Sequence, residues 1–317
     1  MAEDPTKSQT AETASETPAH VQSVESSGAT SAEHRPSDAP ITTGVPVIVA
    51  TPHQDNDADD IDSSLGDDNV SSTASLSASI LEYRTLHGRT YHSSKHATEY
   101  WGPNDDRQME AMDINHHFLT LSLGGKLHLA PLKDDIEDYG PYAHPDVEVI
   151  GTDLSPIQPV WCPPNLTFVI DDAEQEWTFA PNSFDFIYMR YLLGSIQDWP
   201  RLFKQAYAAL KPGGYIESFE SEPDFMSDDG TVKPDSALQR WSSLFIEGGR
   251  KLNRPFTVLS DDLQRKGIEE AGFVEINVTN RKAPVSGWPQ DPGLQEIGQY
   301  AQLALEQDLE GKAQCTP

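Results

Sequence analysis

Apolar and polar positions divide this chain near Ile80. Residues 1–79 are rich in Ser, Thr, Ala, Pro and Asp. They carry one short apolar patch, Val45–Ala50, and an acidic run, Asp55–Asp68. So little apolar surface cannot offset the entropy of ordering a chain, so this stretch is expected to be a disordered acidic tail. The acidic run reads as a solvated spacer, with an interaction segment as the other reading. From Ile80 the texture changes. Met112, Ile114, His117, Phe118 and Leu121 recur near helical spacing over Glu110–Leu123, and Gly124-Gly125 should stop that helix. Val147–Asp153, Leu166–Ile170, Phe184–Tyr188, Tyr215–Phe219 and Phe273–Val278 read as strands. Trp199–Leu210, Ser236–Leu252 and Ser260–Ala271 read as helices, the last ending at Gly272. Strands alternating with helices predict an α/β fold with a doubly wound parallel sheet. The expected domain covers residues 80–317: a helical lead-in over 80–132, a core over 147–282 and a C-terminal segment over 283–317.

The first of those core strands, Val-Glu-Val-Ile-Gly-Thr-Asp at 147–153, ends in a carboxylate, as the second strand of a nucleotide-binding α/β unit does. The first strand, glycine-rich turn and helix of such a unit do not precede it. Lys133–Asp146 is 14 residues long, acidic, and holds two prolines and one glycine. A parallel crossover with its helix takes a dozen or more residues, and the strand before it about five more. Neither G-x-G-x-G nor G-x-G-x-x-G occurs anywhere in the chain. The apolar stretch Lys126–Leu132 is the one candidate for a substitute first strand.

Charge narrows the function. The 317 residues hold 22 Lys and Arg against 51 Asp and Glu, a formal net charge of -29. Direct nucleic-acid binding relies on basic side chains neutralising phosphates, so it is not expected. Two cysteines make no disulfide framework, which fits a reducing compartment. The N-terminus has no apolar signal core, and no run approaches the roughly 18 apolar residues of a membrane span. An intracellular protein, cytoplasmic or nuclear, is expected.

Four segments carry the candidate chemistry. Gly151-Thr152-Asp153-Leu154-Ser155 places a carboxylate at a strand tip, where it can accept from two ribose hydroxyls; capping a helix is the simpler alternative. Asp171-Asp172-Ala173 follows the next strand, where a carboxylate can accept from an exocyclic amine of adenine; a polar loop is the alternative. Phe184–Arg190 delivers Met189 and Arg190 to the carboxyl end of a strand, where open α/β sheets bind ligands, and Met189 equally suits core packing. Leu210-Lys211-Pro212-Gly213-Gly214 is a tight turn between helix and strand.

In this order and spacing the four segments resemble S-adenosylmethionine-dependent methyltransferases with a Rossmann-like sheet. The segments NDDRQMEAMDINHH, GGKLHLAPL, EVIGTDLSPIQPVWCPPNL, DDAEQEWTFAPNSFDFIYMR, LGSIQDW, LKPGGYIE, SDDG and DPGLQEIGQYAQLALEQDLEG resemble the fungal LaeA-like (TAM-domain) methyltransferases over about residues 80–311. The resemblance implies S-adenosylmethionine as cofactor. Asp153, with Leu154 beside it, would hold the ribose. Asp172 and Ala173 would meet the adenine. Met189 and Arg190 would lie beside the methionine moiety or the substrate. It also implies a small-molecule or protein methyl acceptor, control of fungal secondary metabolism and nuclear regulatory complexes. No position matches the family's glycine-rich first motif, and the family usually continues beyond Gly311. Weak cofactor binding is therefore expected. The alternatives are a catalytically inactive methyltransferase-fold interaction protein and a truncated gene product.

Other candidates are weaker. His116, His117 and His128 lack Cys or carboxylate partners at ligand spacing, and neighbours on a helix do not share a face, so structural roles and no metal site are expected. Glu217 and Glu220 flank a strand end, where capping competes with a general-base role; no catalytic residue is assigned. Ser155 has no nucleophile elbow. Gly248-Gly249 is expected to break its helix.

Overall fold

A computed structural model describes residues 82–93, 98, 100–132, 146–159 and 162–314. The expected tail over 1–79 lies outside the described residues, as does most of the short link Lys133–Asp146. The described chain opens with a hairpin of β1 (Arg84–Leu86) and β2 (Arg89–Tyr91). His87 and Gly88 between them have φ of 50° and 78°, the pair of positive values a tight two-residue hairpin turn demands. The helix α1 (Asp106–Ser122) follows, with the Asp105 side chain accepting from Gln108 N at its start. Gly124 and Gly125 end it with φ of 73° and 86°.

Next come β3 (Val149–Asp153), β4 (Leu166–Ile170), β5 (Phe184–Arg190), α2 (Trp199–Ala209) and β6 (Leu210–Phe219). The helices α3 (Ala237–Leu252), α4 (Leu263–Ala271), α5 (Pro292–Gln307) and α6 (Leu309–Gln314) complete the order. β3 pairs with β4 in parallel, Asp153 opposite Ile170. β5 pairs with β6 in parallel, Arg190 opposite Phe219. The Leu210–Gly214 turn lies within β6 as an irregularity opposite Phe184–Phe186, with Gly213 at φ 82°.

The alternation expected from sequence is present, but the two parallel pairs do not share hydrogen bonds. The physical consequence shows in the burial. Parallel strands of α/β proteins are normally covered on both faces. Here no residue of β3 or β4 belongs to the buried apolar core. That core gathers instead around β5, α2, α3 and the Phe256–Val258 segment, with Phe203, Ala206 and Val258 fully enclosed. Lys126–Leu132 does not supply the missing strand. It runs as loop against β6, where Leu129 N and Ala130 N both donate to Glu217 Oε2 at 2.7 Å.

Three more expectations are corrected. Phe273–Val278 is not a strand; Val274 and Val278 are exposed, and Glu275 has φ 57°. Strand propensity expresses itself only against a neighbour, and none adjoins this segment among the described residues. The lead-in is not purely helical, since the hairpin precedes α1. Gly248 and Gly249 do not break α3, where both are buried. A Cβ on Gly249 would run into the Arg254 carbonyl and the Phe256 ring, so the glycine admits close packing. Gly249→Ala is expected to cost about 1–3 kcal/mol by overpacking. Thermal unfolding checks this, and an unchanged midpoint would contradict it.

Candidate functional site

The carboxyl ends of the strands define one rim. Asp153 ends β3, and Asp171 N donates to the Asp153 carbonyl at 3.0 Å, so the loop after β4 starts beside it. Asp153 and Asp172 thus follow the carboxyl ends of adjacent parallel strands, as the sequence predicts. Asp153 is largely enclosed, and burial pushes its carboxyl above the usual range, against the pull of the Ser155 and Leu154 N–H groups. Ser155 N donates to Asp153 Oδ1 at 2.9 Å, and Leu154 is half-buried in the same turn.

Asp172 is buried and already engaged. Its Oδ1 accepts from Thr98 Oγ1 at 2.8 Å and Glu174 N at 3.0 Å, and its Oδ2 from Gln175 Nε2 at 3.4 Å. This carboxylate organises its own loop. Ala173 packs on the core and lines a cleft of about 390 Å3 between this loop and the start of α2. A buried ion pair crosses the cleft wall: Arg254 Nη1 meets Glu174 Oε2 at 2.8 Å, and the same nitrogen donates to the Ser195 carbonyl. Met189 is 6% exposed and sits in the core, in the packing role. Arg190 emerges at the rim, with Nη2 2.8 Å from His116 Nδ1 and its guanidinium 5.9 Å from the centre of the Tyr188 ring. The rim therefore unites Asp153, Leu154, Asp172 and Ala173, keeps Arg190 at its β5 end, and withdraws Met189.

The histidines separate. His116 faces Arg190, and burial with that guanidinium lowers its pKa. His117 meets the Tyr300 ring edge-on at 4.4 Å, and His128 lies against Phe186 at 5.4 Å.

Glu217 and Glu220 both hold loops. Glu220 Oε1 accepts from Leu192 N at 2.9 Å and Oε2 from Leu193 N at 3.0 Å, which fixes the turn after Arg190. Burial pushes Glu220 up to about 8, although those N–H groups pull the other way. A carboxyl favoured in its protonated form by folding adds its full stability below about 4.5 and loses it as pH rises to about 8. Glu220→Gln cannot titrate. The native melting temperature minus that of this variant should therefore fall from pH 5 to pH 8, and a difference that rises would contradict the assignment.

Sequence reasoning missed Asn104 and Gln108. The apolar set that marks α1 is not its buried face; Gln108, Ala111, Asn115 and Leu119 are, while Met112 is exposed. Two amides at helical spacing were the available signal. Asn104 Nδ2 donates to Ser155 Oγ at 3.4 Å, which brings the start of α1 to the tip of β3.

Comparison with known proteins agrees with this architecture. Residues 136–273 match the methyltransferase domain family. Methyltransferase pytC of Aspergillus terreus is 41% identical over 257 residues, covering 77% of this chain and 78% of that protein. Secondary metabolism regulator LAE1 of Cochliobolus heterostrophus is 34% identical over 241 residues, covering 70% and 78%. Protein-methionine methyltransferase laeA of Emericella nidulans is 30% identical over 249 residues, covering 72% and 64%. With this identity spread across both the lead-in and the core, the chain belongs to the fungal LaeA-like methyltransferase family.

Proposed function

We propose that this chain is an S-adenosylmethionine-dependent methyltransferase of the regulator type with a weakened cofactor site. The observation that carries the reading is the shared rim: Asp153 and the Asp172-Ala173 loop follow the carboxyl ends of neighbouring parallel strands. The residues fit the adenosine half of the cofactor. Asp153 makes its hydrogen bonds to N–H groups of its own turn, which leaves it suited to a ribose diol. The loop holding Ala173 is stiffened by the hydrogen bonds of Asp172 and so presents backbone to an adenine edge. The cofactor, when bound, supplies a methyl group on a sulfonium. The chain's part is to hold the adenosine and to position an acceptor near Arg190. Transfer governed by positioning needs no dedicated base.

The acceptor is proposed to be a protein side chain, in line with the relative named protein-methionine methyltransferase; a small molecule is the other class. Action within a nuclear regulatory complex goes with that reading, without direct contact to nucleic acid. Among the described residues no helix is long and apolar enough to cross a membrane. A second reading, an inactive methyltransferase-fold interaction protein, is favoured by one observation: among the described residues no strand joins the β3–β4 pair to the β5–β6 pair.

Saturation-transfer NMR with S-adenosylmethionine tests the choice. Enhancement of adenine and ribose protons that vanishes in Asp153→Ala supports a cofactor site. No enhancement at millimolar ligand would favour the inactive reading.

A further inference from the structure

The helix α1 reaches from one parallel pair to the other. Asn104, just before it, bonds Ser155 at the tip of β3, and His116 near its middle bonds Arg190 at the tip of β5. At about 1.5 Å per residue, Asp106 to His116 covers roughly 15 Å, more than the roughly 10 Å that strands on either side of one missing strand would be apart. The helix therefore roofs the rim from the tip of β3 to the tip of β5.

Its inner face is polar there. Asn104 and Gln108 are 8% and 4% exposed. The side-chain carbonyl oxygens Asn104 Oδ1 and Gln108 Oε1 have no hydrogen-bond partner. Asn104 uses its Nδ2 on Ser155, which orients the amide and leaves its carbonyl without a donor. A buried acceptor left unmade costs about 1–3 kcal/mol, so two four residues apart, one of them on a side chain tied through Ser155 to the Asp153 turn, call for a donor. The carboxylate of Asp153 and a chain carrying net charge -29 favour a cationic donor over a neutral one.

We propose that Asn104 and Gln108 form an acceptor pair for the α-ammonium group at the amino-acid end of S-adenosylmethionine, replacing part of what the absent glycine-rich turn would provide. An ammonium carries three N–H donors and no acceptor, which matches two carbonyl oxygens. The inference rests on the reading of Asp153 as the adenosine anchor and extends the site from the tip of β3 to the roof helix.

Paired ligands separate the two claims. The full chain is titrated calorimetrically with S-adenosylhomocysteine and with 5′-methylthioadenosine, which shares the adenosine and lacks the amino-acid end. The native chain should prefer S-adenosylhomocysteine about tenfold, equivalent to about 1.4 kcal/mol. Gln108→Met should bring S-adenosylhomocysteine down to the level of 5′-methylthioadenosine, whose own binding stays unchanged and reports an intact fold; Asn104→Leu, which also removes the bond to Ser155, should weaken S-adenosylhomocysteine more than it weakens 5′-methylthioadenosine. Gln108→Glu should raise the preference by placing a carboxylate against the ammonium. Equal binding of the two ligands to the native chain, or a preference that survives both truncations, overturns the acceptor pair and leaves the adenosine site standing. Binding of neither ligand overturns both.

Discussion

Asp308→Ala is expected to lower the melting temperature by roughly 10 °C, the largest single-residue effect in the molecule. Asp308 is fully buried at the junction of α5 and α6. Its carboxylate accepts from Arg89 Nη1 at 2.7 Å and Nη2 at 2.9 Å, and from Gly311 N at 3.1 Å. The same guanidinium grips Asp105, the cap of α1, and holds that carboxyl below the usual range. One arginine therefore ties the hairpin, the start of the roof helix and the C-terminal helices. Removing Asp308 leaves Arg89 to Asp105 alone and buried Gly311 N without its acceptor, at about 3 kcal/mol, the low end for a broken buried pair. For a folded unit of some 200 residues, each kcal/mol corresponds to about 2–4 °C. The exposed pair Lys282–Asp228 is the control, since such pairs contribute little. Differential scanning calorimetry of Asp308→Ala and Asp228→Ala decides it. Equal shifts would refute the latch.

The second large effect is expected from a gain of structure. Inserting a strand, glycine-rich turn and helix ahead of Val147 should tighten S-adenosylhomocysteine binding at least a hundredfold. A strand between β3 and β5 would join the two parallel pairs and cover side chains of β3 and β4 that are now half-exposed. A glycine turn brings backbone N–H groups to the carboxylate end of the methionine, with no Cβ in the way. Each hydrogen bond to a charged group is worth roughly 1.5–3 kcal/mol, so two of them give that factor. Asp153→Ala in the inserted chain should lose most of the gain. An insertion that folds, by a raised melting temperature, yet binds no better would refute the link between the gap and the cofactor.

The elements were largely legible in the sequence and the pairing was not. The helices α2 and α3 begin and end within a residue of where periodicity and Ser236 place them, and α4 ends at Gly272 as expected, because local capping decides such boundaries; α4 starts at Leu263 rather than Ser260, behind Asp262 in the left-handed region with no side-chain cap. The strands over 149–153, 166–170 and 184–190 were likewise legible from their apolar runs. Phe273–Val278 misled, because an alternating pattern reports fitness for a sheet and not the presence of a neighbour. Gly248-Gly249 misled for a related reason: the close approach of Arg254 and Phe256 is a tertiary fact. At the site, Asp153 and Asp172 were legible as strand-end carboxylates, whereas the internal use of Asp172 by Thr98, Glu174 and Gln175 depends on how one loop closes. Asn104 and Gln108 escaped notice because the apolar positions of α1 point attention to its other faces.

Calorimetric titration of the unaltered chain with S-adenosylhomocysteine tests the weakened-site account most directly. The account predicts a dissociation constant no tighter than about 100 μM, because the adenosine rim persists while the glycine turn is missing. A low-micromolar constant would contradict it, and would mean that residues between Lys126 and Val147 build a complete pocket without a central strand.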